Sequence, residues 1–353
     1  MNFEGSRILV TGGTGSLGQA LVRRILTAEM GLPARVTVFS RDEAKQHQMR
    51  LGYLRKPTAT DDVIYRNSPQ LLTFRIGDIR DYSAVLMAVR EADVIINAAA
   101  LKQVPNCEYF PFEAVQTNIV GAQNLVRAIR ESDALVELVV GISTDKACKP
   151  VNVMGMTKAI QERIFAEANV GSSRTRFLCV RYGNVIASRG SVVPFFLEQI
   201  AQGGPVTVTL PEMTRFLLSV DRAVDTVFAA VRSGRPGETY IPKLPAARVT
   251  DIAKVLINGR NTRIAYTGIR PAEKLHEIMV SEEESYRTTE RDGHYVIVPI
   301  LPELGQVTSG ELSLVGEYSS RDHCVGFADL RQLLAEYIID DVRVLASEGD
   351  LTK

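Results

Sequence analysis

The sequence predicts an α/β protein: a doubly wound parallel sheet joined to a smaller α/β lobe. Three observations lead there. Short β-type runs alternate with helical patterns from Arg7 to Val185, which calls for parallel strands with helices on both faces. Gly12, Gly15 and Gly18, three residues apart, separate the first strand from the first helix. Beyond Val185 the alternation breaks into shorter segments, which marks a second unit. The division expected is 1–185 for the first domain and 186–353 for a mainly ligand-binding lobe, with some of its segments returning to the first.

Composition narrows the classes. The 353 residues can bury a large core. Lys and Arg number 41 against 41 Asp and Glu, so there is no electrostatic footprint for nucleic acid or an anionic membrane. Hydrophobic residues make up 45%, interspersed with charge, and no apolar run approaches the roughly 18–20 residues of a membrane span. The opening MNFEGSRILV enters a strand at once and lacks signal-peptide anatomy. Cys107, Cys148, Cys179 and Cys324 show no CxxC spacing, so free thiols and a cytoplasmic protein are expected. His47, His276, His294 and His323 never fall at i, i+4, and no metal site is expected.

Arg7 to Val10 is a β-type run and Ala20 to Ala28 a helical pattern. Between them Gly12, Thr14, Gly15, Ser16, Leu17 and Gly18 form a turn that presents amides to a pyrophosphate at a helix N-terminus. Its place between strand and helix is the context such a turn requires, so a Rossmann-type dinucleotide site is expected. The second strand, Arg35 to Phe39, ends in Ser40 and Arg41, with Lys45 one turn along the next helix. A hydroxyl and two cations there suit a ribose 2′-phosphate, which favours NADP over NAD; Asp42 runs against this, or serves equally as an ordinary acid at the helix start. The strand Leu71 to Ile76 leads to Asp78 and Ile79, where an acid can reach an adenine amino group. The fourth strand, Asp93 to Asn97, closes on Ala98, Ala99 and Ala100, small residues that let a cofactor lie against the backbone or permit tight helix–sheet packing. Lys102, Cys107 and Glu108 follow in a predicted loop at the ligand edge, and Asn118 lies on the helix Glu113 to Ile129.

The run Val136 to Ile142 reads as a buried central strand, followed by Ser143-Thr144-Asp145-Lys146. Val153 to Lys158 then opens a helix that runs to Ala168. Ionisable groups at the carboxyl end of such a strand lie where doubly wound sheets bind ligands. Asp145, Lys146 and Lys158 there supply an acid, a base and a cation; in isolation the tetrapeptide would be a solvated loop with a surface ion pair. After strand six, Arg176 to Arg181, comes Asn184. The lobe brings Ser188, Arg189, Gly190, Ser191 and Val192, a helix from Val193 to Gln202, a strand Val206 to Thr209, then Thr214 and Arg215. A helix from Asp221 to Ser233 and a loop with Arg270 and Glu273 complete it. Arg189, Arg215 and Arg270 together suit a diphosphate across a cleft from the dinucleotide.

TGGTGSLG, FSRDE, NAAALKQVP, STDKA, MGMTK, RYGNV, SRGSVVP, MTRF and GIRPAEKLHE, in this order, resemble the extended short-chain dehydrogenase/reductases. More narrowly the chain is similar to the inverting UDP-N-acetylglucosamine 4,6-dehydratases. The resemblance implies a redox-neutral cycle on a UDP-sugar. NADP⁺ takes hydride from C4, water is lost across C5 and C6, hydride returns to C6, and C5 is reprotonated with inversion to a UDP-4-keto-6-deoxy sugar. By motif position Lys146 would be the C5 base and Asp145 the acid at O6. Thr144 would bond the C4 oxygen, and Lys158 the nicotinamide ribose. Lys146 must be neutral for this, and a second lysine plus the nicotinamide charge would depress it. The resemblance also implies a homo-oligomer, dimer or hexamer. Met154 stands where the wider family has a Tyr that takes the C4 hydroxyl proton. Some dehydratases of the group share the Met, so Thr144, Asp145 and Lys158 become candidates for that base. Cys107 and Glu108 are either acid/base groups facing the cleft or, for Cys107, packing. A 5,6-dehydratase, a 4-epimerase and a non-catalytic NADP-binding sensor are the competing readings.

Overall fold

The computed structural model describes residues 1–55, 71–172, 174–186, 191–305 and 312–337. Six parallel strands, β1 (Arg7–Thr11), β2 (Arg35–Ser40), β3 (Leu72–Ile76), β4 (Val94–Asn97), β5 (Leu138–Ile142) and β6 (Arg176–Val180), lie in the order β3-β2-β1-β4-β5-β6. Thr239–Pro242 joins β6 in parallel, and His294–Ile297 and Thr288–Arg291 extend that edge antiparallel. Segments from beyond Val185 therefore complete the main sheet.

Alternate residues of each strand serve opposite faces, which a period of two dictates. On one face Ile8, Val36, Ile96, Val140 and Leu178 pack with Leu21 and Ile25 of α1 (Ser16–Leu26) and with Val224 and Phe228 of the helix Val220–Ser233. On the other, Leu9, Ile95, Val139 and Phe177 pack with Val85, Leu125 and Phe165 from three further helices. Each such side chain contributes about 1.5–3 kcal/mol by leaving water, so the strands that carry the site rest on a two-sided core. The lobe has its own core, with Phe196, Ile200, Val206, Leu217, Ile252 and Leu256.

Three elements differ from expectation. Where a loop was expected after β4, Val104–Tyr109 is helical, with Pro105 in its first turn. The helix expected from Glu113 begins at Pro111 and holds a π-type stretch, Val115–Val120, before it continues as Gly121–Glu131. The hairpin Thr288–Arg291 to His294–Ile297 was not expected. It turns on Asp292 and Gly293, both at positive φ (50° and 75°), the backbone that a two-residue hairpin turn needs. No helix among the described residues is long and apolar enough to cross a membrane.

Candidate active site

The dinucleotide end is built by the backbone. Gly12 sits at φ +64°, and a Cβ there would lie 2.7 Å from Ala98 O and Ala99 N. Only glycine lets the turn after β1 press on the end of β4, and the small Ala98 and Ala99 lie at that contact. No side chain caps α1 behind Gly15, so its leading amides are available to an anion. These features fit a dinucleotide pyrophosphate. Thr11 Oγ1 donates to Asn97 Oδ1 (2.6 Å) and accepts from Ala99 N (3.3 Å), which locks the two strand ends together.

At the tip of β2 the expected cluster divides. Ser40 is buried, and its hydroxyl accepts from Thr14 Oγ1 and from Gln46 Nε2, both at 3.2 Å. It shapes the turn. Arg41 reaches Asp78 at 3.6 Å and Lys45 reaches Asp42 at 2.7 Å, with both cations about half exposed. Asp78 is gripped by Arg80 through Nε (2.9 Å) and Nη2 (2.7 Å), which overcomes its burial and holds its carboxyl below the usual range. Ile79 is buried, its side chain where a Cβ on Gly121 would fall.

The chemistry gathers past β5. Ser143 N donates to Val180 O (2.7 Å) and Asp145 N to Tyr182 O (3.0 Å), so the β5–β6 pairing continues beyond the strands and sets Asp145 beside Tyr182 and Gly183. Thr144 caps the turn Asp145–Ala147. A Cβ on Gly155 would collide with the Lys146 carbonyl, so this glycine lets the helix Val153–Glu167 lie directly on the Lys146 backbone.

Asp145 is fully buried; Oδ1 accepts from Thr144 Oγ1 (2.8 Å) and Lys146 Nζ (3.1 Å), and Oδ2 has no partner. Lys146 Nζ also donates to Asn184 Oδ1 (2.9 Å) and Glu277 Oε1 (3.2 Å), which occupies all three ammonium protons. Burial, then the Glu277 charge, pushes the Asp145 carboxyl above its ordinary value, against Lys146 and Thr144. Lys146 corrects the expectation. Burial lowers its affinity for a proton, but Asp145 and Glu277 raise it above the ordinary lysine value, so it stands as an ammonium. Lys158 is the depressed lysine instead: burial brings it to about 8, and Nζ donates to Gln161 Oε1 at 2.6 Å.

Several expected residues do other work. Met154 and Cys107 are buried together with Ala114 in a small apolar cluster, with Cys107 Sγ near Leu101 O (3.7 Å). Cys107 is packing, and Met154 faces that cluster. Glu108 Oε1 accepts from Val153 N (2.7 Å) and so caps the helix above the site. Asn118, in the π-type stretch, bonds Leu101 N (2.9 Å), Leu101 O (3.0 Å) and Thr157 Oγ1 (2.9 Å), which ties the Leu101 loop to the active-site helix. Lys102 and Ala100 are exposed beside it.

In the lobe the correction is larger. Arg215, expected to face a diphosphate, is only 7% exposed. Its Nη1 donates to Thr214 O (2.8 Å) and Leu275 O (3.2 Å), Nη2 to Glu273 Oε1 (3.2 Å), and Nε lies 3.5 Å from Glu277. It is a buried clamp. Thr214 Oγ1 bonds His276 Nδ1 (2.8 Å) and Ser320 Oγ (2.7 Å). Arg270 is exposed. Ser191, with a buried hydroxyl lacking a partner, precedes the helix that Val192 opens. Ser188, Arg189 and Gly190 lie outside the described residues. Glu277 closes the GIRPAEKLHE stretch. It stands 131 residues from Lys146, and no local pattern announces their meeting.

Residues 8–299 match a family described as polysaccharide biosynthesis protein. The chain belongs to that family. A relative in Campylobacter jejuni subsp. jejuni serotype O:23/36 (strain 81-176), named UDP-N-acetylglucosamine 4,6-dehydratase (inverting), is 40% identical over 320 residues, 89% of each chain. One in Rickettsia akari (strain Hartford), named UDP-glucose 4-epimerase, is 41% identical over 300 residues, 84% of this chain and 83% of its own. Pen from Bacillus thuringiensis has a solved structure that matches with TM-score 0.82 at 34% identity, covering 95% of this chain and 100% of that one. Solved structures at 18–22% identity, several with NAD, share the fold with TM-scores of 0.58–0.63. The polysaccharide-biosynthesis protein thus has the extended short-chain dehydrogenase/reductase architecture that its motifs led one to expect.

Proposed function

We propose that this family member is a UDP-N-acetylglucosamine 4,6-dehydratase that uses NADP⁺ and inverts C5. The observation that carries the reading is the buried pair beyond β5, an Asp145 whose hold on a proton burial strengthens and Lys146 Nζ 3.1 Å from it. The name of the Campylobacter relatives supports it. When bound, the nicotinamide supplies a reversible hydride acceptor, so that C4 can pass through a ketone that acidifies the C5 proton. Gly12 and the leading amides of α1 hold the pyrophosphate, and Lys158 the nicotinamide ribose. Thr144 bonds the C4 oxygen. Asp145 gives its proton to O6 as the C6–O6 bond breaks and water leaves. Lys146 takes the C5 proton after releasing one of its own to solvent, a release that any cation arriving beside it favours.

Incubation with UDP-N-acetylglucosamine, followed by proton NMR, tests the reading. The expected product is an inverted UDP-4-keto-6-deoxy-N-acetylhexosamine carrying one solvent deuteron at C5 in deuterated water. The Rickettsia names favour a second reading, 4-epimerisation. That reaction needs the ketone to turn and be reduced, with no acid–base pair at C5 and C6. Formation of only the 4-epimer, with C5 unexchanged, would establish it.

For the cofactor, Arg41 and Lys45 carry the preference, since Ser40 is turned inward. Their exposed ion pairs are weak enough to exchange for a phosphate. Arg41→Ala is expected to weaken NADP about 10-fold more than NAD. Equal losses, measured by fluorescence titration, would overturn the preference.

A further inference from the structure

Glu277 stands in the strand-end cluster without a part in the steps above. The lobe delivers it: Glu277 N donates to Ser320 Oγ (3.0 Å), Ser320 N donates to Glu277 O (2.8 Å), and Thr214 N holds Leu275 O (3.1 Å). So anchored, the side chain meets Lys146 Nζ at 3.2 Å, and Arg215 Nε at 3.5 Å, through Oε1. Its Oε2 is buried with no hydrogen-bond partner, as is Asp145 Oδ2. A buried carboxylate oxygen without a donor costs stability, and a glutamine or an apolar residue would satisfy packing at less cost. What the glutamate adds is charge. The groups around it are Lys146, Arg215 and Lys274 as cations and Asp145 as the second acid. Glu273 occupies the other end of Arg215, and His276 turns away to Thr214.

We propose that Glu277 is a positioning residue for the proton transfers: its carboxylate holds Lys146 Nζ in place beside Asp145. This rests on the dehydratase reading. Burial works against the Glu277 charge, while Lys146, Arg215 and Lys274 favour it. The Asp145 O–H bond breaks as O6–H forms and C6–O6 breaks. The C5–H bond breaks as an N–H bond forms on the neutral Lys146 amine, its electron pair becoming the C5–C6 double bond. The single negative charge acts in one sense on both partners, favouring the protonated form of each. Because Asp145 and Lys146 share a hydrogen bond, they titrate as a pair, and both limbs of the kcat–pH profile report on it.

The parent enzyme is assayed first in deuterated water. Failure to dehydrate UDP-N-acetylglucosamine there refutes the dehydratase reading itself, before Glu277 is tested. Given a working parent, Glu277→Gln keeps shape and removes charge. Its kcat should fall about 10–100-fold, with KM and bound NADP unchanged, and both limbs should move about one unit to lower pH. Glu277→Asp restores the charge on a shorter stem, so its limbs should return to the parent positions with kcat reduced. Limbs that stay put in Glu277→Gln overturn the proposal. So does a loss confined to KM or to cofactor content, or a displaced profile in Glu277→Asp. If the Gln variant does not fold, the Asp variant decides alone by the same criterion.

Discussion

The loop beyond β5 and the helix after it each hold a lysine of the site, and the two differ in what surrounds them. Lys146 lies between Asp145 and Glu277, whose charges more than offset its desolvation. Lys158, at 5% exposure, gives its ammonium to the neutral Gln161 amide, and desolvation wins. Same side chain, same site, opposite outcomes. Burial sets the cost of a charge, and the counter-charges within reach decide whether it is met. In the proposed chemistry Lys146 has to give up a proton that its neighbours hold tightly. Lys158 carries one lightly and is suited to a ribose contact.

The largest effect expected is from Lys146→Ala. If Lys146 is the C5 base, dehydrated product should fall by about 10²–10⁴-fold. C4 oxidation, seen as reduced nicotinamide absorbance on mixing with substrate, should persist, since it is assigned to Thr144 and Lys158. Full dehydration by this variant would erase the distinction between the two lysines.

Next is Arg215→Ala, which takes one cation from the buried Glu277 and from the half-buried Glu273. A loss of about 3–5 kcal/mol in stability is expected, from urea unfolding with bound ligand absent. An effect limited to a raised KM, with stability unchanged, would return Arg215 to the diphosphate role read from sequence.

The smallest is a pH effect. Lys158 in the folded protein binds its proton less tightly than in the unfolded chain. Between about 8 and the unfolded lysine value near 10.4 the unfolded chain therefore holds more protons, and stability rises with pH there. Below about 8 that contribution is lost. In the cofactor-free protein the slope should approach about 1.4 kcal/mol per pH unit and should vanish in Lys158→Met. A slope that the substitution leaves intact would mean that Lys158 is not the depressed group.

Much of the fold was legible. The glycine turn before α1, the six β-type runs and the position of Asp145 and Lys146 at a strand end all rest on neighbours in sequence. The hairpin at Asp292-Gly293 also has a local signal, since that dipeptide is the strongest short-range hairpin signal. Cys107 stayed open between packing and chemistry, and the helix cap made by Glu108 was not legible, because a lone thiol and a lone carboxylate in a polar stretch say nothing about facing inward, outward or onto a helix end. The arginine at 215 was misplaced for the same reason.

By itself, then, the sequence determined what the backbone and near neighbours decide. Gly12 is needed wherever this turn meets β4, and apolar strands must be covered on both faces. Asp145 and Lys146 are adjacent whatever else happens. Tertiary structure alone decided the state of that pair. Glu277 arrives from 131 residues away, and Arg215 arrives with it. Desolvation and the charges that answer it depend on distances of a few ångströms between segments, and those distances exist only once the lobe has closed onto the sheet.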